Sequence, residues 1–88
     1  MKRKDGFVKR SVGGRDVAVA VGQRAATFNG MITLNGTASV LWDQLERDRT
    51  EAELVEALLR EYDVERDRAL ADVRAFTDAL RKAGLLDD

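Results

Sequence analysis

The chain has 88 residues, which allows one compact domain with a modest core and leaves little room for a deep catalytic cleft. It contains no cysteine and no histidine, which excludes thiolate and imidazole chemistry, and its apolar runs are too short for a membrane span or a signal peptide. The formal net charge of −1 hides an asymmetry, because residues 1–24 sum to +5 and residues 25–88 to −6, which disfavours tight binding of nucleic acid by the second part.

The first part of the chain predicts short antiparallel strands. Met1 to Asp5 is polar, and we expect it to be frayed. Phe7 to Val12 is predicted as a strand that stops at Gly13-Gly14, a dipeptide that supplies the positive φ of a tight turn. Asp16 to Val21 alternates valine with alanine, which is the period-two pattern of a strand. Together these segments predict a β-hairpin.

Two further β segments follow a turn around Gly22 to Arg24. Ala25 to Phe28 is predicted as a weak strand, and Asn29-Gly30 marks another tight turn. Met31 to Leu34 is the last predicted strand. The strands together predict an antiparallel meander.

From Asn35 onward the apolar period changes from two to about 3.6, which predicts three helices. Asn35 is suited to cap the first helix, and Thr50-Glu51-Ala52-Glu53 is a capping box that starts the second. Gly84 predicts a left-handed cap after the third helix, with the next two leucines folding back onto it. The three apolar stripes are Ala38, Leu41, Trp42 and Leu45; Leu54, Val55, Leu58, Leu59 and Tyr62; and Ala69, Leu70, Val73, Phe76, Leu80 and Ala83.

This order of elements predicts an α+β fold of the winged helix-turn-helix type, with a three- or four-stranded antiparallel β-meander followed by three helices. Residues 1–88 are predicted to form a single domain, because the chain shows neither an internal repeat nor a linker composition. Its carboxylates lie opposite the apolar stripes and its glycine pairs lack a phosphate-loop context, so we expect no enzymatic activity and no cofactor or metal. We expect a cytoplasmic protein without a membrane partner.

Two functions of different classes fit such a fold. Winged-helix domains often bind DNA, but the basic residues of the third helix are interleaved with acidic ones, which disfavours a surface for phosphates. The other function is peptide capture, in which an extended peptide adds as a strand to an exposed sheet edge. Met31 to Leu34 is a candidate for that edge, although the sequence alone does not determine which strand lies there.

Five groups of residues, in a fixed order, carry a resemblance to a known family. They are Phe28 to Asn35 running into Ala38, Leu41 and Trp42; Thr50 to Val55; Glu61 to Val64; Asp72 to Phe76; and Gly84 to Leu86. In this order and spacing, the chain from Phe7 to Leu86 resembles the PqqD-like family. The resemblance implies a winged helix-turn-helix that acts as a recognition element for ribosomally synthesised and post-translationally modified peptides (RiPPs).

Members of this family bind the leader of a precursor peptide as a strand added to the last β-strand, with leader side chains in a groove beside the third helix. The resemblance therefore implies two partners: a leader peptide, and a radical SAM enzyme or other RiPP maturation enzyme that receives it. Pyrroloquinoline quinone (PQQ) biosynthesis is one possible pathway among several, and a winged-helix DNA-binding regulator is the alternative function.

The residues that the resemblance implies for leader binding come from one strand and one helix. Asp72 and Arg74 are in addition candidates to pair with charges on a leader. Because Val21 to Gly30 differs from the namesake members, the register of the docking strand stays open. The implied leader-binding residues are Met31, Ile32, Thr33 and Leu34 on the strand, and Ala69, Asp72, Val73, Phe76 and Leu80 on the groove wall.

Overall fold

Two small sheets and four helices make up the part of the chain that the computed structural model describes, residues 1–27 and 31–88. In chain order the elements are β1 (Lys2–Arg3), β2 (Phe7–Val12), β3 (Arg15–Ala20), α1 (Arg24–Thr27), β4 (Met31–Leu34), α2 (Gly36–Gln44), α3 (Glu51–Glu61), α4 (Arg66–Lys82) and β5 (Leu86–Asp87). The strands of the meander come first and α2, α3 and α4 follow, which confirms the predicted α+β fold.

The larger sheet is an antiparallel meander in the order β2-β3-β4. Gly13 and Gly14 join β2 to β3 with φ values of 60° and 81°, which is the geometry of a two-residue type I′ turn. The predicted hairpin is therefore confirmed. β3 pairs with β2 over its whole length and with β4 from Asp16 to Val19, so it is the central strand.

One face of this sheet packs on the helices. Ala18 in β3 and Leu34 in β4 are buried in the core. The Phe7 ring of β2 packs edge-on against the Trp42 ring, with the ring centroids 5.5 Å apart. Lys9 lies on the same face and donates from Nζ to Ser39 Oγ of α2 at 2.8 Å. Since side chains alternate along a strand, the other face of the sheet turns away from the helices.

Local signals at the helix ends have the predicted roles. The Asn35 side chain accepts the Ala38 N–H at 2.8 Å, and Thr50 and Glu53 form the reciprocal capping box that starts α3. The carboxylate of Glu53 accepts the Thr50 N–H at 2.9 Å, and this hydrogen bond lowers the pKa of Glu53. Gly84 follows α4 with a φ of 73°, and Leu85 folds back into the core, as predicted.

The helices bury most of their predicted apolar stripes against each other and against the sheet. Tyr62 and Ala83, which were predicted as the last members of two stripes, are exposed because they are the C-cap residues of α3 and α4. Trp42 is almost completely buried, and the core around it includes Leu41, Leu45, Leu54, Leu58, Ala69, Val73 and Leu80. Within residues 1–27 and 31–88, no helix combines the length and the apolar character that are needed to cross a membrane.

Two further expectations from the sequence are wrong. Ala25 to Phe28 is predicted as a strand, but Arg24–Thr27 forms the short helix α1, because the amides of Ala25 and Ala26 donate to carbonyls three residues back. Phe28 and the predicted Asn29-Gly30 turn lie outside the described residues. The expected fraying of Met1 to Asp5 is also wrong, since β1 pairs with β5.

The pairing of β1 is supported by contacts with residues far away in the sequence. The amide of Arg3 donates to the Leu45 carbonyl at 2.9 Å, and its guanidinium lies 4.7 Å from the centre of the Trp42 ring. The amide of Lys4 donates to the Leu85 carbonyl at 2.8 Å. A polar segment is therefore held by groups that a local sequence pattern does not reveal.

The capping box at Thr50 gives a test of the helical half. We expect Thr50→Ala to lower the free energy of unfolding by about 1 kcal/mol, because the Glu53 N–H loses its acceptor. Thr50→Ser keeps the oxygen and is the matched control, with an expected loss of less than about 0.5 kcal/mol. Urea unfolding followed by circular dichroism measures both, and equal losses would contradict the capping role.

Candidate functional site

The turn between β2 and β3 determines which backbone groups of the sheet face which neighbour. In a two-residue hairpin the flanking residues, here Val12 and Arg15, form a hydrogen-bonded pair, and bonded and non-bonded pairs then alternate along the ladder. The odd-numbered residues of β3 therefore bond to β2. Asp16 and Ala18 are left to bond to β4.

The same alternation directs backbone groups of β4 to an open edge. Ile32 and Leu34 lie opposite Ala18 and Asp16 and use their N–H and C=O groups on β3. Met31 and Thr33 direct theirs to the other side, where no strand of the described residues pairs with β4. The edge of β4 thus offers two residues with backbone donors and acceptors for another strand.

A cavity of about 490 Å³ lies between this edge and α4. We call it the groove. Its first wall comes from β4 and the start of α2 and consists of Ile32, Thr33, Asn35, Thr37 and Ala38. The second wall comes from α4 and the segment after it and consists of Asp72, Ala75, Phe76, Ala79, Leu80, Ala83 and Leu85.

Small side chains on α4 leave room in the groove. Ala75, Ala79 and Ala83 are spaced by four residues, so they lie on one face of the helix, and all three are exposed. Phe76 is half-buried beside them and packs against the core. Apart from Asp72 at one end, the wall on α4 is therefore apolar, with space between its larger side chains for side chains of a ligand.

Five of the nine residues that the resemblance implied for leader binding line the groove: Ile32, Thr33, Asp72, Phe76 and Leu80. Leu34, Ala69 and Val73 lie in the core, with 3%, 0% and 0% of their surfaces exposed. Met31 does not line the groove and is 61% exposed at the open edge. Arg74, named as a possible partner for a leader charge, is exposed and does not line the groove either.

Seven lining residues were not foreseen: Asn35, Thr37, Ala38, Ala75, Ala79, Ala83 and Leu85. Asn35 was interpreted only as a helix cap, and Leu85 only as a hydrophobic contact. The one sequence signal for the groove is the row Ala75, Ala79 and Ala83, because alanines at a spacing of four lie on one narrow side of a helix. Alanine suits a core, a surface or a groove equally well, so its position in the sequence does not choose among them.

The charges on α4 are mostly satisfied within the molecule. Arg66, Arg74 and Arg81 form ion pairs with Glu56, Glu51 and Asp78, at distances of 2.6, 3.2 and 3.2 Å between nitrogen and oxygen. The hydrogen bond that Arg74 donates to Glu51 raises the pKa of the guanidinium, and a hydrogen bond to Asp88 does the same for Arg81. Because the positive charges of these arginines are already paired with carboxylates, they do not form a surface for phosphates, and nothing here favours DNA binding.

A metal-dependent site is not visible in the described part of the chain. Across residues 1–27 and 31–88, no three acidic, histidine or cysteine side chains are grouped so that they could hold a metal ion. What the geometry offers is an open strand edge above a partly apolar groove, which is an arrangement for binding an extended chain.

Comparison with known proteins agrees with this geometry. The family model for Coenzyme PQQ synthesis protein D (PqqD) matches residues 12–86. A solved structure described as TbiB1 in complex with the TbiA(beta) leader peptide has a TM-score of 0.73 and 28% sequence identity, and the match covers 99% of this chain and 95% of that one.

A second solved structure, of lasso peptide synthetase B1 complexed with the leader peptide, has a TM-score of 0.69 and covers 96% of this chain and 93% of its own. At 21% identity it supports the fold alone. No curated protein matches the sequence.

Two alanines of α4 test the division between core and groove. Ala69 is fully buried, whereas Ala79 is exposed and lines the groove. We expect Ala69→Leu to lower the free energy of unfolding by about 1–3 kcal/mol through overpacking, and Ala79→Leu to change it by less than about 0.5 kcal/mol because the added side chain enters open space. Urea unfolding compares the two, and similar losses would show that Ala79 borders packed core instead.

Proposed function

Because this chain belongs to the PqqD family, we propose that it binds the leader of a ribosomally synthesised precursor peptide and presents that precursor to a maturation enzyme. The observation that carries the proposal is the open edge of β4 directly above the groove. The complex of TbiB1 with a leader peptide supports it, since that protein is similar over almost the whole chain.

We place the leader as a fourth strand beside β4. The N–H groups of Met31 and Thr33 donate to leader carbonyls, and their C=O groups accept from leader amides. These bonds depend only on the backbone, so they supply affinity without choosing a sequence. Side chains of the leader alternate between its two faces, so every second one enters the groove. Contacts there with residues such as Phe76 determine which leader sequences bind.

In this proposal the chain performs no chemical step itself. It holds the precursor near the enzyme that modifies it, so the effective concentration of substrate at that active site rises. A radical SAM enzyme or another RiPP maturation enzyme is the proposed partner, and no cofactor is required of this chain. Because precursors are made on ribosomes, we place the complex in the cytoplasm.

The first test removes one outward-facing amide from β4. We expect Thr33→Pro to weaken leader binding about tenfold, because proline has no N–H to donate to the added strand while the bonds between β4 and β3 stay intact. The ligand is a fluorescently labelled synthetic leader of any short precursor that is encoded beside the gene. Fluorescence anisotropy gives the affinity, and circular dichroism verifies that the variant is folded.

A matched control for this test lies on the opposite edge of the same sheet. By the same alternation Ser11 in β2 directs its amide away from β3, so Ser11→Pro removes an outward-facing donor from the other edge. We expect this variant to bind the leader like the wild type. If Ser11→Pro weakened binding and Thr33→Pro did not, the leader would dock on β2.

The second test fills the groove without touching the strand edge. Ala79→Leu places a larger side chain in the space between β4 and α4, so we expect leader affinity to fall at least tenfold. Ala71→Leu is the control, because Ala71 is also exposed on α4 but does not line the groove. Isothermal titration with the same synthetic leader measures both. Full affinity in Ala79→Leu would show that leader side chains do not enter the groove.

A further inference from the structure

The groove has a definite length along α4. Its lining residues run from Asp72 on that helix to the C-cap residue Ala83, which spans about 16 Å at a rise of 1.5 Å per residue. An extended peptide covers that distance with about five residues, at roughly 3.3 Å each. Because side chains alternate, about three of those five residues direct their side chains into the groove.

Charge is distributed very unevenly in the groove. Of the described residues that line it, Asp72 alone is ionisable, and Thr33, Asn35 and Thr37 are polar but neutral. Asp72 also lies at one end, since the other lining residues of α4 all follow it in sequence. A leader side chain that enters at this end therefore meets a negative charge, and one that enters farther along meets Phe76, Leu80 and Leu85.

Asp72 has a partner that a ligand can replace. Arg68 Nε lies 3.3 Å from Asp72 Oδ1, longer than the 2.7–2.9 Å of a strong charge-assisted hydrogen bond. The arginine precedes the aspartate by four residues, which is the less favourable order on a helix, and its side chain is 74% exposed against 32% for Asp72. Exposed pairs of this kind contribute little, so the carboxylate keeps capacity to accept from a ligand.

A leader strand that covers the groove reduces the access of water to Asp72. If the covering side chain is apolar or acidic, the carboxylate loses hydration without gaining a partner, which disfavours the complex. If it is lysine or arginine, a charge-assisted hydrogen bond replaces the lost water. At the other positions Ala75, Ala79 and Ala83 leave space that large apolar side chains fill.

From these observations we propose that Asp72 is a specificity-determining residue that selects leaders with a lysine or arginine at one end of a five-residue extended segment, with large apolar residues two and four positions away from it. This inference rests on the proposed leader-binding function and deepens it, because it names the chemical class of the leader.

The experiment selects binders from a displayed library of random ten-residue peptides, with the full-length protein as the target. Three targets are compared: the wild type, Asp72→Lys, and the control Asp78→Lys. Asp78 is also an α4 carboxylate paired with one arginine, Arg81, but it does not line the groove. The wild type and Asp78→Lys are expected to enrich lysine or arginine two residues from an apolar side chain, and Asp72→Lys to enrich aspartate or glutamate there.

One peptide from the wild-type selection then provides a quantitative test. Replacing its basic residue by methionine is expected to weaken binding about tenfold to the wild-type protein and less than twofold to Asp72→Asn. Only the wild-type protein has a carboxylate at residue 72 that pairs with the basic side chain of the peptide. Equal losses in the two proteins, or a wild-type selection with no basic residue enriched, would overturn the assignment to Asp72.

The failure of this inference differs from the failure of the proposed function. If selected peptides bind and Thr33→Pro weakens them, but no basic residue is required, leader binding stands and the role of Asp72 is wrong. If no peptide is selected, or if Thr33→Pro leaves every selected peptide unaffected, strand addition to β4 is wrong and the inference falls with it.

Discussion

The one-sided pairing of β4 is the constraint on which the rest of the site depends. β3 uses backbone groups on both sides, so it holds β4 by Ile32 and Leu34 and leaves the other edge of β4 open. Leu34 is buried, which fixes the end of the strand against the helices. The short strand is thereby kept in register while the outward-facing groups of Met31 and Thr33 stay unpaired by any strand of the described residues. A longer, freely exposed edge would be a hazard for aggregation, and four residues limit that hazard.

Helix α4 has two neighbouring faces, one that packs in the core and one that lines the proposed binding groove. Ala69, Val73 and Leu80 bury one face in the core, and the adjacent face carries Ala75 and Ala79 toward the groove. Successive residues differ by about 100° around the helix axis, so residues on these two faces lie only one or two positions apart in the sequence. In a domain this small most apolar side chains are needed for stability, so the proposed binding surface is made from what remains: half-buried rings such as Phe76 and the space beside alanines.

The sequence predicted those parts of the fold that have local signals. The glycine turn, the capping box at Thr50 and the left-handed cap at Gly84 each depend on a few adjacent residues, and each is present. The pairing of Lys2–Arg3 with Leu86–Asp87 joins the two ends of the chain, so no local pattern predicts it. The groove had the same difficulty, because its walls combine α2, β4 and α4. The resemblance pointed to this region, but whether Val73 or Ala79 faced it depended on the rotation of α4, which hydrophobicity does not define when alanine is compatible with either side.

Strand addition to such an edge requires little change in the protein. The backbone groups of Met31 and Thr33 already point outward. Among the described residues, every buried side-chain polar atom already has a hydrogen-bond partner, so a ligand does not have to supply one. The cost of ordering therefore falls mainly on the leader, which must adopt an extended conformation when it binds. About five residues with two outward-facing backbone partners give an interface well below the size of stable protein complexes. Moderate affinity suits a protein of this kind, since the precursor must leave after it is modified. Holding the precursor near the enzyme raises its effective concentration there, so a tight complex is not needed for efficient modification.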